Sequence, residues 1–135
     1  MHKPFAAALL LLAAGGCSAG EDKAAAERAV ASFHESLDAA RFEAIYDASA
    51  ADLKGATSKE DFVKLLDAVH RKLGAVQAAK QEGWRVNYAT GGSVVDLVYE
   101  TQFAKGRAKE EFVYRAGKQP ALIGYNINSQ DLITQ

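Results

Sequence analysis

The sequence predicts an α+β domain in which N-terminal helices pack on one face of a curved antiparallel sheet of four to five strands. Three observations carry this. Residues 84–128 alternate apolar and polar side chains with a period of two, the pattern of half-buried strands. Short glycine- and proline-bearing links separate those segments, and such links join antiparallel neighbours because a parallel pair needs a long crossover. Residues 21–73 instead carry apolar stripes at helical spacing. Helices grouped before an antiparallel sheet make the α+β class.

Within the sheet block, residues 94–103 place Val95, Leu97, Tyr99, Thr101 and Phe103 on one face. Val94, Asp96, Val98, Glu100 and Gln102 take the other. Residues 85–90 set Val86 and Tyr88 against Arg85 and Asn87. Residues 109–115 set Phe112 and Tyr114 against Lys109, Glu111, Val113 and Arg115. Residues 121–128 set Ala121, Ile123, Tyr125 and Ile127 against Leu122, Gly124, Asn126 and Asn128. Gly91-Gly92 supplies positive φ for a tight hairpin. Residues 75–82 form a weaker edge segment, with a bulge expected near Gly83-Trp84. The mixed face keeps a minor apolar set, Val94, Val98, Val113 and Leu122. It reads either as isolated surface residues or as a patch for a homodimer or partner.

In the helical half, Val30, Phe33 and Leu37 mark the core stripe of an alanine-rich helix over residues 21–40. Phe42, Ile45 and Tyr46 mark a short helix over residues 41–49. Thr57-Ser58-Lys59-Glu60 fits a capping box. The helix that follows carries Phe62, Leu65, Leu66, Val69 and Leu73 and stops at Gly74.

The chain of 135 residues fits one domain and a targeting segment. A formal net charge of −1 argues against a nucleic-acid partner, which a basic stripe would announce. No stretch reaches the roughly 18 apolar residues of a membrane-spanning helix. Residues 1–16 read as a signal peptide: Lys3, an apolar run over residues 5–14, then Gly15-Gly16. Cys17, the single cysteine, excludes an intramolecular disulfide. Ala14-Gly15-Gly16-Cys17 resembles the lipobox of bacterial lipoproteins, with Ala14 where leucine is usual. The alternative is ordinary signal cleavage nearby with Cys17 incidental. The resemblance implies cleavage before Cys17, a diacylglyceryl group on its sulfur and anchorage to a membrane. Ser18 follows rather than aspartate, so the expected station is the outer membrane, facing the periplasm. Residues 17–23 would then be the lipidated cysteine and a tether, and residues 24–130 the domain.

The element order is similar to the NTF2-like, or cystatin-like, cone, in which a bent sheet wraps a long helix. The sequence also resembles the exported bacterial domain-of-unknown-function family numbered 4019. The matching residues are Arg71-Lys72-Leu73-Gly74-Ala75-Val76, Val98-Tyr99-Glu100-Thr101-Gln102-Phe103, Glu110-Glu111-Phe112-Val113 and Gly124-Tyr125-Asn126-Ile127. Gln119-Pro120-Ala121 departs from the tryptophan that tends to open the last strand there. The resemblance implies a fold and a compartment, and no activity.

The candidate cavity-lining residues are His34, Tyr46, Trp84, Tyr99, Tyr114 and Tyr125. His34 lies at the edge of the Val30/Phe33/Leu37 stripe. With a tyrosine as electrophile it would serve as general base of a small isomerase, dehydratase or hydrolase. The plainer reading is a half-buried helix histidine, packed or solvated, and an aromatic face that forms core rather than a ligand cavity. Trp84 reads as a core anchor or a cavity-mouth residue, and His70 as a solvated cation at a helix end. No HxxxH, HExxH or Cys–His cluster supplies metal ligands. Gly91-Gly92 precedes no helix and so makes no phosphate cradle. The expectation is therefore a non-enzymatic binding or accessory module with no cofactor. Its partner would be a small apolar ligand or an envelope protein.

Overall fold

Ser18 opens the first helix. Its hydroxyl accepts the Glu21 amide at 3.2 Å, satisfying one of the free donors at a helix start. The structure, a computed structural model, describes residues 18–134. The expected signal peptide, residues 1–16, and Cys17 lie outside those residues. Helix α1 spans Ala19–Asp38, so most of the stretch expected to be a tether is instead its first turns. The Ser18 cap and the burial of Asp22 account for the difference.

Helix α1 ends in a Schellman motif. Arg41 N–H donates to Ser36 O at 2.8 Å and Ala40 N–H to Leu37 O at 3.0 Å. The motif puts Ala40 at φ 57°, the left-handed conformation that glycine usually takes. Two short helices follow, α2 (Phe42–Asp47) and α3 (Ala51–Ala56). Helix α3 occupies part of what reads as a break around Gly55. Helix α4 spans Lys59–Leu73 and is capped by Ser58, which accepts the Asp61 amide at 3.1 Å. The cap thus sits one residue later than the Thr57-to-Glu60 box suggests. Gly74 closes α4 at φ 77°, and a Cβ there would stand 3.2 Å from that of Ala104.

Four strands complete the sheet in the order β1 (Val76–Ala89), β2 (Gly92–Phe103), β3 (Gly106–Arg115) and β4 (Ala121–Asn128), each antiparallel to its neighbour. The weak segment over residues 75–82 and the one beginning at residue 85 are a single strand. Register shifts fall at Val76/Ala78 and Gln81/Gly83. A short helix α5, Gln130–Thr134, follows. The architecture is α+β and consistent with an NTF2-like cone.

The last strand corrects one face assignment. Between Val113/Tyr114 the register slips, pairing Tyr114 with Leu122 and Val113 with Gly124. The extra residue, Ile123, lets Leu122 and Tyr125 share the inner face, and Leu122 is only 5% exposed. Strict alternation puts Leu122 on the outer face, which it does not occupy.

The core lies between α1, α4 and the inner face of the sheet. Phe112 is its centre. Its ring centroid stands 5.0 Å from that of Phe33 and 5.2 Å from that of Tyr125. Burying each such ring stabilises the fold by roughly 1.5–3 kcal/mol.

Candidate functional site

Along β3, alternation sends Ala108, Glu110, Phe112 and Tyr114 inward, and all are buried. Glu110 is therefore a carboxyl group inside an aromatic core, with 0% exposure. A buried carboxylate costs several kcal/mol unless donors surround it. Here three converge. His34 Nε2 from α1 lies 2.7 Å from Oε1, and Thr101 Oγ1 from β2 donates to the same oxygen at 2.6 Å. Tyr125 OH from β4 donates to Oε2 at 2.6 Å. One carboxyl group so joins the helix to three adjacent strands. Burial, and then the nearby Glu110, push the Tyr125 hydroxyl well above its ordinary pKa, which keeps it a donor.

The six expected cavity residues divide. His34 and Tyr125 meet at Glu110. Tyr99 and Tyr114 are buried close by without joining that cluster: Tyr99 OH accepts Gln81 Nε2 at 3.2 Å, and Tyr114 stacks on Phe112 with an 8° angle between the rings. Burial raises the pKa of both hydroxyls. Tyr46 points elsewhere, donating to Thr57 O at 2.9 Å and so fastening α2 to the start of α4. Trp84 is not a core anchor. It is 53% exposed, with Lys23 Nζ 5.2 Å from its ring centroid, a cation–π distance.

Sequence reasoning missed Glu110 as the partner of His34 and Thr101 as a second donor to Glu110. The signal for Glu110 was its phase: it stands two residues before Phe112 on the inward side of the same strand. Around His34 the rings of Phe33 and Phe112 close at 6.1 Å and 5.6 Å between centroids. Both Glu110 oxygens are met by protein groups.

Open space lies on the other flank of α1. A cleft of about 370 Å³ runs between α1, α2 and the β3–β4 connection. Its walls include Ala25, Ala29, Phe33, Ile45, Pro120 and Leu122, and Tyr114 also borders it. Ser32 and Ser36 on α1 add hydroxyls, and Arg28 and Lys118 add two cations. Among the described residues neither cation has an ion-pair partner. Apolar walls with a few polar groups are what a small-molecule site needs, and the volume falls in the usual range of about 300–1,000 Å³.

The outer sheet face holds less than its sequence promises. With Leu122 inside, the apolar set is Val94, Val98 and Val113, grouped around Asp96 by register. Arg85 NH2 lies 3.6 Å from one Asp96 oxygen, and the other is buried without a partner. His70 is half-buried rather than solvated, its ring edge-on to Phe42 at 5.9 Å.

No curated protein matches the chain. A family model described as "Protein of unknown function (DUF4019)" matches residues 29–125. The match covers most of the described domain and spans His34, Thr101, Glu110 and Tyr125. The chain belongs to the DUF4019 family.

Proposed function

We propose that the protein is a lipid-anchored, periplasm-facing binding module of the bacterial envelope, built on an NTF2-like cone, that holds a small amphipathic anion in the α1–α2 cleft. The carrying observation is that cleft. Its walls are apolar, and two cations at its edge have no partner within the described fold. An apolar body would lie against Phe33, Ile45 and Leu122 while a carboxylate or phosphate meets Arg28 and Lys118. The lipobox-like segment ending at Cys17 supports the anchor.

The Glu110 cluster supports binding over catalysis. Its oxygens are occupied by protein donors, and a general base needs its proton partner in a reachable substrate. The bond from His34 Nε2 to Glu110 favours a structural role for His34.

Calorimetric titration of the exported chain with decanoate tests the reading. Binding is expected, and the Arg28→Ala/Lys118→Ala double variant should weaken it by about tenfold, since a tenfold change needs about 1.4 kcal/mol and exposed charge contacts give up to about 1 kcal/mol each. Equal affinity in both chains would remove the cleft from consideration.

A further inference from the structure

The end of the molecule where the chain enters the fold carries a second surface. Helix α1 runs antiparallel to β1. Its C-terminal Asp38 carboxylate accepts the Val76 amide at the start of β1, at 3.1 Å and 3.3 Å. Near its N-terminus, Lys23 lies over Trp84, well along the same strand. The helix start therefore points towards the β1–β2 hairpin. Ser18 stands five residues before Lys23, about 8 Å further along the axis at 1.5 Å per residue. Tyr88 stands four residues beyond Trp84, about 13 Å along the strand. Ser18, the first described residue, thus lies at the end of the fold that carries this hairpin.

The hairpin is unusual in what it exposes. Trp84 pairs with Leu97 and Tyr88 with Ser93, so both rings have the inward phase. Both rings nonetheless stay largely open: Trp84, with Lys23 of α1 over it, is 53% exposed and Tyr88 68%. Residues 83–95 carry one cation, Arg85, and no carboxylate. Tryptophan and tyrosine prefer the headgroup level of a bilayer, where one end of the ring is apolar and the other wet.

We infer that the β1–β2 hairpin is a membrane-docking surface: with Cys17 lipidated, Trp84 and Tyr88 rest in the interface of the bilayer that holds the anchor. The inference depends on the lipid anchor proposed above. Docking fixes the orientation of the domain. Acyl chains at Cys17 supply the affinity, and the two rings restrict how the domain swings on that anchor.

Trp84 is the only tryptophan in the chain, so its emission reports this surface alone. The exported chain is recovered from bacterial membranes, its intact mass is measured, and it is placed in vesicles of phosphatidylethanolamine and phosphatidylglycerol. A lipid-bearing mass is expected, with a blue-shifted Trp84 emission, loss of acrylamide quenching, and quenching by brominated acyl chains. The Tyr88→Ser variant should keep the lipid and recover part of the acrylamide quenching. A lipidated chain whose Trp84 is quenched like free indole overturns docking and leaves the anchor standing. Shielding that grows with the protein-to-lipid ratio points to a second copy and also overturns it. A chain without lipid overturns the anchor, and docking with it.

Discussion

His34 Nε2 and Glu110 Oε1 lie 2.7 Å apart and join α1 to β3 across 76 positions of sequence. The contact is a polar tie through an apolar core, with Thr101 and Tyr125 filling the remaining approaches to the carboxyl group. Removing Glu110 leaves an imidazole and two hydroxyls buried without their acceptor. Glu110→Ala should therefore destabilise the fold by about 3–5 kcal/mol, the usual cost of breaking a buried pair from one side. Urea unfolding of the two chains measures it. A loss under about 1 kcal/mol would mean that the network relaxes around the gap.

Tyr125→Phe keeps the ring between Phe33 and Phe112 and deletes only the hydroxyl donor. A hydrogen bond to a charged group contributes about 1.5–3 kcal/mol, so a loss of that size is expected in the same assay. Tyr46→Phe makes a useful contrast. Its half-buried hydroxyl donates to a backbone carbonyl, and the loss should be nearer 1 kcal/mol.

Alkaline pH should unfold the protein through its buried tyrosines. Burial is the first cause that raises the hydroxyl pKa of Tyr99, Tyr114 and Tyr125. The unfolded chain releases these protons near the ordinary value of about 10, while the folded chain keeps them. Above that pH the folded state binds more protons than the unfolded state, so stability falls as pH rises. Their contribution is fully present below about pH 10 and is lost above it as the raised values are approached. Unfolding midpoints followed against pH should decline there, and less steeply in Tyr125→Phe. A midpoint that stays level into strong alkali would contradict the burial of these hydroxyls.

Ala40→Gly should stabilise the protein. The Schellman motif holds Ala40 at φ 57°, which costs an L-residue roughly 1–2 kcal/mol, whereas glycine adopts it freely. Glycine also loosens the unfolded chain, which takes back about 0.4–1 kcal/mol. The expected net gain is about 0.5–1 kcal/mol, read as a higher thermal midpoint.

Much of this fold was legible because alternation and helical stripes report directly on which face a side chain occupies. The apolar face of β2, the positive φ of Gly91 and Gly92 and the stop at Gly74 follow from sequence alone, whereas the hairpin turn falls one residue early, at Thr90-Gly91, with Gly92 already paired to Ala89. Leu122 does not, because a single extra residue at Ile123 reverses the phase of what precedes it. Trp84 fails as a core anchor for a different reason. Alternation gives it the inward phase, yet α1 leaves that part of the sheet uncovered, and coverage is a tertiary property. Helix α3 was hidden by its length: a six-residue helix has no stripe to read.

The candidate site was legible in part. His34 and Tyr125 could be named from their faces, but their meeting point required Glu110. That residue stood in phase with Phe112 and Tyr114, and a carboxyl group at such a position calls for donors across the core. The cleft could not be foreseen. It is bounded by α1, α2 and the β3–β4 connection, whose approach depends on how the helices seat on the sheet.

Native mass spectrometry of the protein purified from cells tests the binding proposal most directly, with the Arg28→Ala/Lys118→Ala variant beside it. The expected spectrum shows a defined small anion retained by the native chain and absent from the variant. A bare chain in both, even after decanoate is added, would contradict a ligand site in the cleft.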